Sequence, residues 1–231
     1  LHLLSRRQRQ MCIRDRMKKD PTKTIILVTH SMDAVKRYCD KAILIKDGEI
    51  VVSGNKDDVA DQYTLENLKV QEAEQKAHAA AVNAGTEYPA GLSERVPVLN
   101  VRAEDSQLVK TADPFRFLVD YEFNEDVEFY LTLTLLDMKR GGIIYDTAAD
   151  LHQTKRGRQT VTFELPLDAI CNGDYRLTAQ LRSLPDPSNI KSNQQLAYTD
   201  ESRSCDFAVR IPGNEGYGLL NKSSMQVKQL D

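Results

Sequence analysis

The second half of the chain is written in a period of two. Phe115, Phe117, Val119, Tyr121 and Phe123 alternate with Arg116, Leu118, Asp120 and Glu122; Phe129, Leu131, Leu133 and Leu135 alternate with Tyr130, Thr132, Thr134 and Leu136. Val161, Phe163 and Leu165 follow the same rule, as do Tyr175, Leu177, Ala179 and Leu181 against Arg176, Thr178, Gln180 and Arg182, and finally Cys205, Phe207, Val209 and Ile211. Successive side chains of a strand point to opposite faces, so each run specifies a strand with one apolar and one polar face. With shorter pieces at Val98–Val101, Ile143–Tyr145 and Leu196–Tyr198, seven or eight strands separated by turn signals are expected. Strands in that number predict an all-β, antiparallel, Ig-like sandwich over residues 96–221. Asn172-Gly173-Asp174-Tyr175 opens its strand as a tyrosine-corner strand does, which makes Tyr175 a fold element first.

Ahead of the sandwich the pattern changes. Thr24–Thr29 (TIILVT) is a continuous, β-branched apolar run, the mark of a strand buried on both faces, and it ends in His30. Ser31 can cap a short helix over Met32–Cys39. Lys41–Lys46 then meets Asp47-Gly48, a type I′ dipeptide, and returns as Glu49–Ser53. Residues 24–54 therefore read as strand, helix and hairpin, an α/β fragment. From Lys56 to Asn83 neither Gly nor Pro occurs and helix formers dominate. The apolar stripe there is thin (Val59, Tyr63, Leu65, Leu68, Glu72, Ala73), and the later stretch Gln71–Ala81 is polar and alanine-rich, which predicts an exposed connecting helix rather than a coiled coil. Gly85, Pro89, Gly91 and Pro97 mark a linker.

The charge is uneven. Residues 1–20 hold seven basic side chains and two acids, a local +5, so a net charge of −3 leaves −8 on the other 211 residues. Acidic charge argues against nucleic acid as a partner. The apolar Leu1–Leu4 precede the arginines, the reverse of a secretory signal. Residues 6–16 resemble the conceptual translation of a transposase sequencing adapter, so 1–16 are set aside as foreign and the protein proper is expected from Met17. That leaves Cys39, Cys171 and Cys205 without any C-x-x-C pair, which fits a reducing compartment and excludes the usual zinc and redox motifs.

The strand ending in T-H-S, the helix with Asp33-Ala34-Val35 and Cys39-Asp40, and the A-I-L-I-K-D-G-E-I-V-x-x-G hairpin together resemble the C-terminal part of an ABC-transporter nucleotide-binding domain. Followed by a helical extension and a sandwich carrying N-G-D-Y-x-L and F-x-V-x-I-P-G, the whole from 17 to about 221 is similar to the ATP-binding subunits of ABC exporters for O-antigen, capsule and related polysaccharides. Within that family the likeness is to the Wzt-type group, which carries a C-terminal carbohydrate-binding domain. The resemblance implies 17–63 as the end of the ATP-binding domain, 64–95 as extension and linker, 96–221 as the glycan-binding sandwich and 222–231 as a tail. It further implies ATP and Mg in a longer parent, with His30 as the switch-loop residue at the γ-phosphate. A membrane permease subunit and a second copy of the chain are implied as partners, and the inner face of the bacterial membrane as the location. The sequence holds no G-x-x-x-x-G-K-[ST], no signature loop and no apolar strand ending in Asp-Glu, so hydrolysis is expected of the parent and not of this chain.

If the strands of 129–136, 175–182 and 205–211 are neighbours, their outward side chains share a face: Tyr130, Thr132, Thr134, Arg176, Thr178, Gln180, Arg182, Asp206 and Arg210. Hydroxyl, amide and guanidinium groups match a polyol's donors and acceptors, and a tyrosine ring offers a stacking face. Replacing Arg176 and Gln180 is expected to weaken glycan binding without moving the melting curve. The other reading is a solvated face on a sandwich that serves only as a dimerisation or interaction module. Phe115, Phe117, Tyr121 and Phe163 fall on core faces, and His78 and His152 are expected in solvent. No nucleophile with a base, and no acid–base pair, stands out in the sandwich.

Overall fold

The computed structural model describes residues 24–216, 218–221 and 224. The run 1–16 and the start at Met17 lie outside the described residues, as does the tail apart from residue 224. The chain divides into two compact units, Leu1–Thr64 and Leu65–Asp231.

In the first unit Ser31 caps α1 (Met32–Tyr38), its Oγ accepting from the Ala34 N–H at 3.3 Å. β1 (Lys41–Lys46) and β2 (Glu49–Asn55) form the expected hairpin. Asp47 and Gly48 at its tip both have positive φ, 53° and 84°, the conformation a two-residue type I′ turn demands. The expected strand at Thr24–Thr29 is not formed. Ile26 and Val28 are 86% and 92% exposed, because a strand apolar on both faces needs a neighbour on each edge and none pairs with it among the described residues. Among the described residues of this unit the buried ones are Val35, Val59, Ala60 and Asp61, where Lys36 of α1 lies 3.7 Å from Asp61 at the start of α2 (Lys56–Val82). Asn55 opens α2 by accepting the Asp57 N–H at 2.8 Å.

The second unit is the sandwich. One sheet has three strands in the order β3 (Val98–Ala103), β5 (Phe115–Phe123), β9 (Gly157–Leu165). The other runs β4 (Leu108–Val109), β12 (Cys205–Val209), β10 (Gly173–Leu184), β6 (Glu128–Asp137), β7 (Ile143–Asp146). β8 (Leu151–Gln153) adds to β6 and β11 (Gln194–Tyr198) to β10. All pairings are antiparallel save the two-residue β4–β12 contact.

The apolar members of each alternation meet between the sheets. Phe115 stacks on Phe207 with ring centroids 4.2 Å apart, and Tyr121 and Phe123 pack on Phe129. Each such fully buried side chain contributes about 1.5–3 kcal/mol, so this layer dominates the stability of the unit. Tyr175, 1% exposed, donates its hydroxyl proton to the Cys171 carbonyl four residues upstream, which is the tyrosine corner that the Asn-Gly-Asp-Tyr run predicts. Burial pushes its pKa up to about 12. Cys171 and Cys205 are buried free thiols.

Past Thr64, α2 has no buried residue over 71–81, but the turns before and within that stretch lay one face on the sandwich. Leu68 is buried with Leu108 and Ala208, with Leu65 beside them, and Gln75 Nε2 donates to Asp206 Oδ2 at 3.2 Å. Leu65, Leu68, Glu72 and Gln75 recur at the three- and four-residue spacing of one helix face. That face covers the β4–β12 end of the larger sheet on its outer side.

Candidate functional site

The register of β6, β10 and β12 brings the expected residues onto one face. Directly opposite pairs are Tyr130 with Arg182, Thr132 with Gln180, Thr134 with Thr178, and Arg176 with Asp206; Arg210 follows just past β12 on the same side. Opposed residues of an antiparallel pair point the same way, so the shared face follows from pairing alone. The structure nevertheless splits the set into two groups that do different things.

Arg176, Asp206 and Arg210 are committed to the protein. Arg176, 8% exposed, sends Nε and Nη2 to the Asp206 carboxylate at 2.6 and 2.9 Å, and Nη1 lies 3.2 Å from Glu201. Gln75 of α2 holds the same Asp206. Arg210 bonds the carbonyls of Gly173 and Val209 and the carboxylate of Asp174. Arg176 with Asp206 and Arg210 with Asp174 tie β10 to the β12 end of the sheet, and Gln75 brings α2 onto Asp206.

At the far end Tyr130, Thr132, Gln180 and Arg182 line an open depression of about 350 Å³, completed by Asp146, Ala148, Ala149, Ile190 and Asn193. That is the lower end of the range of small-ligand sites. Its walls are loops. The turn after β7 is fixed by Asp146, whose Oδ1 accepts the Ala148 N–H at 2.7 Å and whose Oδ2 accepts the Thr134 hydroxyl at 2.7 Å. The Thr132 hydroxyl donates to the Ala148 carbonyl at 2.9 Å. Ala148 itself is held at φ 47°, a conformation non-glycine residues rarely adopt, so the turn's shape is imposed by these bonds. On the opposite wall Asn193 Oδ1 accepts both Nε and Nη2 of Arg182, at 2.9 and 2.6 Å.

The groups left to a ligand can be named. Arg182 holds the Gln180 Oε1 at 2.9 Å, so Gln180 presents its amide N–H groups. Tyr130 lines the depression beside them. Tyr130 is only 3% exposed and tilts against His152 at 5.7 Å, so its ring is no open stacking platform, contrary to what the sequence predicts for it. The apolar contribution comes from Ile190, 50% exposed, and the two alanines. Thr134 and Thr178 lie between the two groups; Thr134 acts through Asp146 rather than on the depression. Asp146, Ile190 and Asn193 carry no alternation signal: Asp146 ends the short β7, and the other two lie in the turn between β10 and β11.

His30 belongs to the first unit, exposed at the turn before α1. Among the described residues no three of His, Cys, Asp and Glu are grouped to hold a metal ion, and no helix is long and apolar enough to cross a membrane.

No protein-family model matches the chain. It is 26% identical over 181 residues to the O-antigen export system ATP-binding protein RfbB of Myxococcus xanthus, a match covering 70% of this chain and 40% of that protein. Among solved structures, the C-terminal domain of wzt aligns with a TM-score of 0.44 and 15% identity over 63% of this chain and 90% of that one. A CARDB domain from Pyrococcus furiosus aligns with a TM-score of 0.27 and 13% identity over 52% and 91%. The chain thus resembles an O-antigen exporter's ATP-binding subunit over most of its length, as its motifs predict, and spans less than half the length of that relative.

Proposed function

We propose that this chain is the substrate-recognising portion of the ATP-binding subunit of an ABC exporter for lipid-linked O-antigen or a related polysaccharide, with the depression on the larger sheet as its glycan site. The observation that carries the reading is the convergence of Tyr130, Thr132, Gln180 and Arg182 on one concavity of a sandwich whose sequence relative serves O-antigen export. Sugars carry many hydroxyls, each both donor and acceptor, and such a ligand is matched by amide and hydroxyl groups set on the paired strands β6 and β10. Gln180 supplies donors, Asp146 an acceptor, and Arg182 the guanidinium N–H that its amide neighbours leave open. Ile190 and the alanines cover C–H surface.

In the longer subunit, His30 would meet the γ-phosphate of ATP, imidazole being a compact donor for a phosphoryl oxygen, while residues beyond this sequence hold Mg and the remaining phosphates. A permease subunit and a second copy complete the exporter at the cytoplasmic side of the membrane. Glycan engagement by the sandwich would select the cargo that the ATP-binding part then drives.

Calorimetric titration of the purified chain with oligosaccharides of a cognate repeat unit tests this. Saturable binding that Gln180→Ala weakens, with the melting curve unchanged, is the expected result. A folded chain that binds no repeat unit and instead dimerises through this face would replace the reading with an interaction module.

A further inference from the structure

Arginines around the larger sheet have carboxylate counter-ions: Arg176 has Asp206, Arg203 has Asp200 at 3.2 Å and Arg210 has Asp174. Arg182 does not. Among the described residues its guanidinium meets only neutral amide oxygens, Asn193 Oδ1 twice, Gln180 Oε1 at 2.9 Å and Gln195 Oε1 at 3.2 Å. Four of its five N–H groups are thereby fixed in direction, yet its full charge stays uncompensated on the wall of a concave, partly desolvated site. Amide oxygens orient a guanidinium; they do not neutralise it. An anion at the one N–H left open neutralises it, through a hydrogen bond charged on both sides.

We infer that the depression takes an acidic sugar, a glycan unit bearing one carboxylate or phosphate group that is seated at Arg182. Asp146 sets the orientation. Its two oxygens already accept from Thr134 and Ala148 and it lines the same depression, so it repels a second anion and receives the hydroxyl edge of the unit instead. The inference rests on the depression being a glycan site, and it adds the chemical class of the ligand.

The test is a glycan array probed with the full chain, carrying neutral, uronic-acid and phosphate-bearing oligosaccharides of matched backbone, with Arg182→Gln and Arg182→Lys alongside. The wild type should prefer one acidic class over its neutral counterpart by roughly 10-fold, as the loss of a charge-assisted hydrogen bond implies. That preference should weaken as salt is raised. Arg182→Gln should bring the acidic glycan down to the neutral level, and Arg182→Lys should keep part of the preference. Lysine retains the charge, so it decides the matter should the glutamine variant fold poorly. The uronic-acid and phosphate arms identify which anion is recognised. Equal binding of neutral and acidic glycans, or a preference untouched by Arg182→Gln, overturns the acidic-sugar inference while leaving glycan recognition standing. Binding to no glycan overturns both.

Discussion

Replacing Arg176 with methionine separates a structural role for this residue from a ligand-contacting one. The side chain is 10% exposed and its partner Asp206 15%, so the substitution leaves a carboxylate facing the underside of α2 with Gln75 as its remaining partner. Removing one member of a buried ion pair costs ~3–5 kcal/mol, and the residual solvent contact together with the Gln75 bond put this case near ~3 kcal/mol. For a unit of this size each kcal/mol moves the midpoint by about 2–4 °C, so Tm should fall by about 6–12 °C. Near-ultraviolet circular dichroism is the right assay, since Tyr121 and Tyr175 are buried in the sandwich core and lose their fixed surroundings when it melts. Arg176→Met combined with Asp206→Leu should recover most of the loss, because the stranded charge, rather than the lost attraction, carries the cost. A single variant that melts within about 2 °C of wild type and loses glycan binding would refute this reasoning; the guanidinium would then be serving the ligand, as the alternation by itself predicts.

Two further substitutions test how the sandwich is closed. Gly91 has φ +84° and its carbonyl accepts the Tyr198 N–H at 3.0 Å; a Cβ there would stand 2.4 Å from the Tyr198 carbonyl oxygen. Gly91→Ala should therefore cost roughly 2–4 kcal/mol, read as a lowered Tm, with a loss under ~1 kcal/mol refuting the close approach. Burial pushes the Asp137 carboxyl up, but the N–H groups of Arg140 and Lys139 and the Arg140 guanidinium more than offset it, holding its pKa below the usual carboxylate value. A lowered folded-state pKa contributes stability that is present above the unfolded value and lost as pH falls through the folded one. Asp137→Asn should thus cost ~1–3 kcal/mol at pH 7, and the gap to wild type should close below about pH 4 in acid-unfolding curves.

Period-two alternation assigned faces correctly but said nothing about exposure. Tyr130, Thr132, Thr134 and Arg176 all point outward from the larger sheet, and all are under a tenth exposed because the β7–β8 turn and α2 lie over them. Those covers come from sequence-distant segments whose own patterns are weak: α2 shows a thin apolar stripe, and the turn hinges on an alanine at positive φ, a conformation alanine does not signal. Thr24–Thr29 errs the other way. Its apolar run reads as buried, but burial needs partner strands, and the described residues hold none. Where a local group completes the structure, as when the Tyr175 hydroxyl reaches Cys171 or Asp47-Gly48 turns a hairpin, sequence and structure agree.

The division of one sheet face into a latched end and an open end has a measurable consequence. Arg176 and Arg182 are six residues apart on β10, about 20 Å at the rise of an extended strand. Their hydrogen-bond partners do not overlap: Asp206 and Glu201 serve the first, Asn193, Gln180 and Gln195 the second. Thr178 and Gln180 are the outward residues between them, and only Gln180 is bonded to either arginine. Sites so separated and without shared partners are expected to act additively to within about 0.5 kcal/mol. The Arg176→Met, Arg182→Gln double variant should therefore show the sum of the single stability losses, and its glycan selectivity should be that of Arg182→Gln alone. A coupling above ~1 kcal/mol would mean that the two ends are linked through the strand, and that occupancy of the depression is felt beneath α2.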